Sequence, residues 1–130
     1  MTQEIKPGTT FSHTRECHKH QPIFYAGASG DFNPIHLDDE VGKAAGLGGV
    51  ILQGLCTFAW LAETVTQFQG DPGKIRKVRT RFSRAVKIDD VIKFEATVTQ
   101  VSDGRFTVDV RAKNQNGEDV LKGASVEAEL

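Results

Sequence analysis

The hydrophobic period of this chain changes abruptly near residue 74, from helical spacing to an alternation of two. Before that point, residues 55–69 carry apolar side chains over most of the circumference of a helix. They are Leu55, Phe58, Leu61, Ala62, Val65 and Phe68, with Cys56, Ala59 and Trp60 widening the apolar face. Gly70 and Pro72 mark the end of the segment. A helix that is apolar around most of its girth is predicted to be buried.

After residue 74, apolar and polar side chains alternate in segments that are separated by turn residues. Strands are predicted around residues 78–83, 92–99, 106–113 and 120–129, with Val78, Thr80 and Phe82 on the inner face of the first. Turns are predicted at Asp89-Asp90, Ser102-Asp103-Gly104 and Asn116-Gly117, the last as a tight hairpin. One apolar face per strand predicts an antiparallel sheet with one solvated side. The long helix is the element available to cover the other side, which gives an α+β domain over residues 1–130.

Shorter elements are predicted before the long helix. Residues 8–17 are compatible with a first strand, and a short helix begins at Pro22, since proline is favoured in a first helical turn. Asp38 or Asp39 is predicted to cap a second short helix that ends at Gly46.

Composition excludes several classes of protein. The chain has 130 residues, 38% hydrophobic and 25% charged, which is typical of one globular domain. A net charge of −1 argues against a dedicated nucleic-acid binder. No apolar run predicts a signal core or a membrane span. Cys17 and Cys56 have no metal-like or redox-like spacing, so we expect free thiols and a cytoplasmic location.

The segment "SGDFNPIHLDD" at residues 29–39 concentrates a carboxylate, an amide and an imidazole. Pro34 fixes its own φ and favours an extended Asn33, so Asp31 and His36 sit on stiff backbone. A carboxylate beside a histidine that titrates near neutrality is typical of acid–base chemistry. Asp, Asn, Gly and Pro are also the residues of ordinary turns, with the histidine filling a polar gap. Spacing alone leaves both interpretations open.

The longer stretch "YAGASGDFNPIHLDD" resembles the signature of the MaoC-like, or type 2 enoyl hydratase, family of hotdog-fold proteins. A second block, "GLGGVILQGLCTFAWLAETVTQFQGDPGKI", resembles the loop and central helix of that family. Its trailing "GDPG" is similar to the catalytic subunit of actinobacterial (3R)-hydroxyacyl-acyl-carrier-protein dehydratases. The similarity runs from about Phe11 to the end of the chain, and the hotdog fold matches the helix-wrapped sheet predicted above.

The resemblance implies that Asp31 and His36 are the catalytic pair for reversible water addition to trans-2-enoyl thioesters of coenzyme A or an acyl carrier protein. Asn33 would hold their geometry, and the backbone N–H of Gly54 would bind the thioester carbonyl. No cofactor or metal is implied. The resemblance also implies that two hotdog-fold chains pair, either as a homodimer or as a heterodimer with a related subunit. One departure is Gln53, where the family usually has histidine.

Two features carry alternatives, and two rival functions stay open. Residues 74–84 hold six of the 16 basic residues and no acid, so Arg79 and Arg81 are predicted to bind the anionic part of the substrate, or simply to be solvated. Glu63 is an isolated acid in the apolar helix. It would be the catalytic acid if the protein were a hotdog-fold thioesterase, or it would face polar groups at a subunit interface or solvent. A non-catalytic acyl-binding subunit is the other rival.

The run "CHKHQP" at residues 17–22 lacks the capping Thr or Ser that usually starts the family's first helix. Cys17, His18 and His20 have the chemistry of metal ligands but no second cluster to complete a site. We therefore predict that all three are surface residues.

Overall fold

The computed structural model describes residues 4–130, so the first three residues of the predicted domain lie outside it. The strands are β1 (Thr10–Glu16), β2 (Ile75–Phe82), β3 (Val91–Ser102), β4 (Arg105–Lys113) and β5 (Asp119–Glu129). The α-helices are α1 (Gln21–Ser29), α2 (Asp39–Ala44) and α3 (Gly54–Gln69). The five strands form one antiparallel sheet in the order β1-β3-β4-β5-β2, so β1 and β2 are its edges.

Helix α3 packs against the inner face of this sheet, and the predicted α+β class is confirmed. Its buried residues are Cys56, Thr57, Trp60, Leu61, Thr64 and Val65. The prediction that Leu55 belongs to the buried face is wrong, because that side chain is 62% exposed. Two threonines take part in the core face instead, and Thr64 satisfies its hydroxyl by donating to the Trp60 carbonyl at 2.9 Å.

The inner faces of β3 and β4 supply most of the sheet's contribution to the core, as predicted. Their buried residues are Ile92, Phe94, Ala96, Val98, Phe106, Val108, Val110 and Ala112. The tight hairpin between these strands is at Asp103-Gly104, where both φ angles are positive (54° and 76°).

Asn116-Gly117 is not the tight hairpin predicted. The β4–β5 connection is longer, and the Asn114 side-chain oxygen accepts hydrogen bonds from the backbone N–H groups of Asn116 and Glu118, both at 3.0 Å. Only Gly117 of the predicted pair has a positive φ. The side chain of Asn114 therefore organises this turn, in place of a two-residue turn with both φ angles positive.

Two further predictions about exposure are wrong. Phe82 was expected on the inner face of β2, but the ladder with β5 shifts register between Arg79 and Arg81, and Phe82 is 57% exposed. Cys17 was expected at the surface, but it is fully buried in the core, while His18 and His20 are exposed. Burial raises the pKa of the Cys17 thiol to about 12.

The loop after α2 packs backbone to backbone against that helix at a glycine. Asp38 caps α2 by accepting from the Glu40 N–H at 2.9 Å, and the helix ends at Ala44, before the predicted Gly46. A Cβ on Gly42 would lie 2.0 Å from the Gly49 carbonyl oxygen, closer than any real contact. Only glycine therefore lets the loop reach this position.

Gly42→Ala is expected to lower the free energy of unfolding by about 1–3 kcal/mol or more, because backbone must shift. The measurement is the midpoint of urea unfolding. Gly27→Ala is the matched control, since a Cβ at that position in α1 meets nothing within 4 Å. It should stabilise the protein by roughly 0.5–1 kcal/mol. Equal effects of the two substitutions would contradict the close approach.

In the part of the chain that the structure describes, no helix is long and apolar enough to span a membrane.

Candidate active site

The segment after α1 is held by hydrogen bonds from its own side chains. Helix α1 ends at Gly30 with φ 81°. The Oδ1 atom of Asp31 then accepts from the Asn33 N–H at 3.2 Å, and Asn33 Oδ1 accepts from the Ile35 N–H at 3.2 Å. A single turn of 3₁₀ helix, Pro34–His36, follows. Asp31 and Asn33 therefore do form a turn, through Asp31 Oδ1 and Asn33 Oδ1. The second carboxylate oxygen of Asp31 is left for another contact.

That second oxygen faces His36. The Oδ2 atom of Asp31 lies 3.7 Å from His36 Nε2, slightly beyond hydrogen-bond distance. His36 is buried, whereas the Asp31 side chain is 46% exposed. His36 Nδ1 lies 2.8 Å from the Ile51 carbonyl oxygen, which can only accept. The neutral imidazole thus carries its proton on Nδ1 and leaves Nε2 basic, beside the carboxylate.

Gly54 is brought to the same place by the start of α3. The N-cap residue of this helix, Gln53, makes no side-chain capping hydrogen bond. Within residues 4–130, the Gly54 N–H has no hydrogen-bond acceptor. Gly54 and His36 line one cleft of about 290 Å³, together with Thr57, Phe82 and Arg84. An unpaired N–H at a helix N-terminus favours a partial negative charge placed in that cleft.

Gln53 stands where the family usually has a histidine, so a neutral amide takes the place of a side chain that can be charged. This amide links α3 to α1. It is 1% exposed, and its Nε2 donates to the Pro22 carbonyl at 2.8 Å. The amide therefore has a structural role between the two helices that frame the candidate site. Its Oε1 atom has no partner among the described residues.

The structure does not bring Arg79 and Arg81 to this cleft. They line a separate concavity of about 750 Å³ on the outer face of the sheet, with Arg111 and Lys122. The two depressions share no lining residue. Phe82 and Arg84, which do line the cleft, were not singled out by the sequence. Phe82 was assigned to the core, and Arg84 was one basic residue among six.

Glu63 is bound within its own chain. Its carboxylate contacts His13 Nε2 and accepts from Arg15 Nη1 at 3.1 Å, and the Arg15 guanidinium lies 5.1 Å from the Trp60 ring centre. The prediction of polar neighbours is correct, but they come from β1 of the same chain. Glu63 does not line the cleft that holds His36. This arrangement gives no support to a thioesterase site at Glu63.

A family model described as "MaoC like domain" matches residues 2–120. The chain belongs to the MaoC-like family. The resemblance noted from the sequence is therefore confirmed.

Curated relatives of this MaoC-like chain are much longer proteins. "Probable enoyl-CoA hydratase 2" of Dictyostelium discoideum is 35% identical over 77 residues, which cover 58% of this chain and 26% of that protein. "Fatty acid synthase beta subunit pkiC" of Emericella nidulans is 36% identical over 103 residues, 76% of this chain and 5% of that protein. The chain thus spans about a quarter or less of these relatives.

Solved structures confirm the hotdog fold of this MaoC-like chain. "R-Hydratase PhaJ1 from Pseudomonas aeruginosa" superposes with a TM-score of 0.89 and 26% identity, covering 97% of this chain and 82% of that one. The "ChsH1-ChsH2 complex from Mycobacterium tuberculosis" superposes with a TM-score of 0.87 and 24% identity, covering 98% of this chain and 99% of that one. The hydratase names among these relatives indicate a hydro-lyase family.

Proposed function

We propose that this chain catalyses the reversible hydration of trans-2-enoyl thioesters, and equally the dehydration of (3R)-3-hydroxyacyl thioesters. The observation that carries the proposal is the position of Asp31 beside His36, which lines a cleft together with Gly54 and its unpaired N–H. This reaction needs two parts: a pair of side chains for acid–base chemistry, and a hydrogen-bond donor for the developing oxyanion. The hydratase names of the relatives support the same reaction.

In the proposed mechanism, a water molecule contacts both Asp31 Oδ2 and His36 Nε2 from the side of the cleft, since these two atoms are 3.7 Å apart, slightly too far for a direct hydrogen bond. The pair removes a proton from this water as its oxygen attacks C3 of the enoyl group. The thioester carbonyl becomes enolate-like, and its oxygen accepts from Gly54. A proton is then delivered to C2. Because both groups contact the same water in this mechanism, both protons are assigned to the pair rather than to one residue.

The Asn33 side chain has a positioning role in this proposal. Its Oδ1 bonds the Ile35 N–H and starts the 3₁₀ turn that carries His36, so it acts on the chemistry through the backbone. The addition of water is neutral in redox terms, and the proposal requires no cofactor or metal.

We also propose that the chain works with a second hotdog chain, either identical or related. Large apolar side chains of α1, of the segment that follows it and of the start of α3 are exposed, among them Ile23 (54%), Phe24 (63%), Phe32 (61%) and Leu55 (62%). Large apolar side chains left exposed in a single chain are typical of an interface when they cluster. One structural neighbour was solved as a complex of two named chains, ChsH1 and ChsH2.

Light scattering during size exclusion should give twice the mass of the chain, and a monomer at micromolar concentration would contradict a homodimer.

Arg79 and Arg81 are proposed to attract an acidic carrier without touching the thioester. Neither makes a salt bridge within residues 4–130, so their charge is available to a partner. Because steering by exposed charge weakens with salt, the KM for an acyl-carrier-protein substrate should rise with ionic strength in the native protein and less in Arg81→Gln.

The direct test of the proposed function is loss of the enoyl absorbance of crotonyl-CoA with the purified protein. The expected product is (3R)-3-hydroxybutyryl-CoA, identified by chiral chromatography. Release of free thiol without hydration would support a thioesterase instead. Binding of both crotonyl-CoA and longer enoyl thioesters without turnover, with or without a related hotdog subunit, would support the acyl-binding subunit.

A further inference from the structure

We propose that a second cleft, adjoining the candidate active site, binds a phosphate group at the end of the pantetheine arm that carries the acyl thioester. Arg84 and Lys87 are the proposed ligands. This inference rests on the proposed function for the identity of the arm, but it concerns a different set of residues.

The two clefts adjoin at Arg84. This residue and Ala85 line both the cleft that contains His36 and Gly54 and a second one of about 280 Å³. The second cleft also contains Lys87, Asn114 and the loop around Gly46. A thioester whose carbonyl is bound at Gly54 can therefore extend its arm past Arg84 into this space. Arg79 and Arg81 have no such connection, since their concavity shares no lining residue with the first cleft.

Lys87 supplies the available charge in the second cleft. Its ammonium group extends toward the glycine-rich loop, where a Cβ built on Gly48 would lie 3.6 Å from Nζ. Among residues 4–130, no carboxylate lies within 4.0 Å of this ammonium. A lysine held beside a glycine backbone is a point charge that a phosphate can approach closely.

The two carboxylates of this cleft are already bound by other groups. Both oxygens of Asp90 accept hydrogen bonds, one from the Lys87 backbone N–H at 2.9 Å and one from Gln115 at 2.8 Å. Glu118 accepts from Asn114 at 3.1 Å and pairs with Arg84 Nη2 at 2.9 Å. The Asn114 hydrogen bond, followed by the charge of Arg84, lowers the pKa of Glu118, so this partner stays ionised.

Arg84 keeps donors for a ligand in spite of this ion pair. A guanidinium carries five N–H donors, and the contact with Glu118 is made through Nη2. The pair also orients Arg84 at the junction of the two clefts. Arg84 is therefore suited to bind the phosphate from the junction of the two clefts, together with Lys87.

The test measures binding rather than turnover. Isothermal titration of the native protein with coenzyme A, 4′-phosphopantetheine and pantetheine should show that the phosphates strengthen binding. Lys87→Gln and Arg84→Gln are each expected to weaken coenzyme A binding about tenfold or more, the scale of one charge-assisted hydrogen bond. Pantetheine binding should stay unchanged. Lys93→Gln is the matched control, because Lys93 is an exposed lysine on β3, outside both clefts.

The three ligands separate the sources of the phosphate. If 4′-phosphopantetheine is as sensitive to Lys87→Gln as coenzyme A, the site binds the phosphate common to coenzyme A and a carrier-protein arm. If coenzyme A alone is sensitive, the site binds its nucleotide phosphates. The inference is overturned if the native protein binds coenzyme A no more tightly than pantetheine, or if both variants bind coenzyme A as the native protein does.

The proposed function can fail independently of this inference. Hydration of crotonyl-CoA by the native protein, with coenzyme A binding indifferent to both substitutions, would retain the reaction and remove the phosphate site. Coenzyme A binding that depends on Lys87, without hydration of any enoyl thioester, would retain the phosphate site and remove the reaction. Equal urea midpoints for the variants and the native protein confirm that the folds are comparable.

Discussion

Asp31→Asn and His36→Gln are each expected to lower kcat for hydration of crotonyl-CoA by about 10²- to 10⁴-fold, the usual contribution of a positioned acid or base. The asparagine keeps the Oδ1 that accepts from the Asn33 N–H, so the turn survives while the charge facing His36 is lost. The glutamine is similar in size to the imidazole but has no basic nitrogen. The measurement is the initial rate of enoyl absorbance loss at saturating substrate.

A histidine outside the cleft provides the control for these variants. His18→Gln changes an exposed ring that packs against Phe24 and is expected to leave kcat within about twofold of the native value. The double variant Asp31→Asn/His36→Gln should lose little more than the worse single variant, because groups that act as a unit are not additive. Hydration that persists in both single variants would place the chemistry elsewhere in the molecule.

Gly54→Pro is expected to reduce kcat roughly a hundredfold or more, the typical cost of losing one oxyanion donor. Proline lacks the N–H but is well tolerated in the first turn of a helix. The preceding residue, Gln53, already has φ −59° and ψ 132°, a conformation that proline favours in its neighbour. Helix α3 should therefore form as before, and the loss should appear in kcat.

Gly54→Ala separates the lost donor from the added bulk. Both substitutions add a Cβ, which would lie 3.3 Å from the Phe82 ring, and this ring is exposed enough to move. Alanine keeps the N–H, so it should retain most of the activity that proline removes. Native-like rates in both variants would show that the donor is unimportant, and equally large losses in both would show that bulk beside Phe82 is the cause.

The parts of this fold that follow a regular period could be predicted from the sequence. The alternation in β3 and β4 and the helical spacing of α3 identify the layers of the hotdog, which the solved structures confirm. The turn around Asp31 was also accessible, because Asp, Asn and Pro bias the backbone locally. The catalytic role of Asp31 and His36 rested on resemblance and stays a prediction.

The errors come from features that no local pattern records. Phe82 looks like a core residue until the β2–β5 ladder shifts by a bulge. Cys17 lies in a polar run, but its neighbours in space belong to the core cluster. Arg84 resembles the other basic residues of its segment, and only the folded chain places it between two clefts. In each case the deciding contact joins residues far apart in sequence.

The hydrogen bond between His36 Nδ1 and the Ile51 carbonyl oxygen has a consequence for mutational robustness. A main-chain carbonyl is present whatever side chain residue 51 carries, so point substitution there leaves the preferred tautomer unchanged. Changes in the length of the loop that follows α2 would move the carbonyl itself. Substitutions at residue 51 should therefore preserve this hydrogen bond, whereas insertions or deletions between residues 46 and 51 should break it and abolish activity.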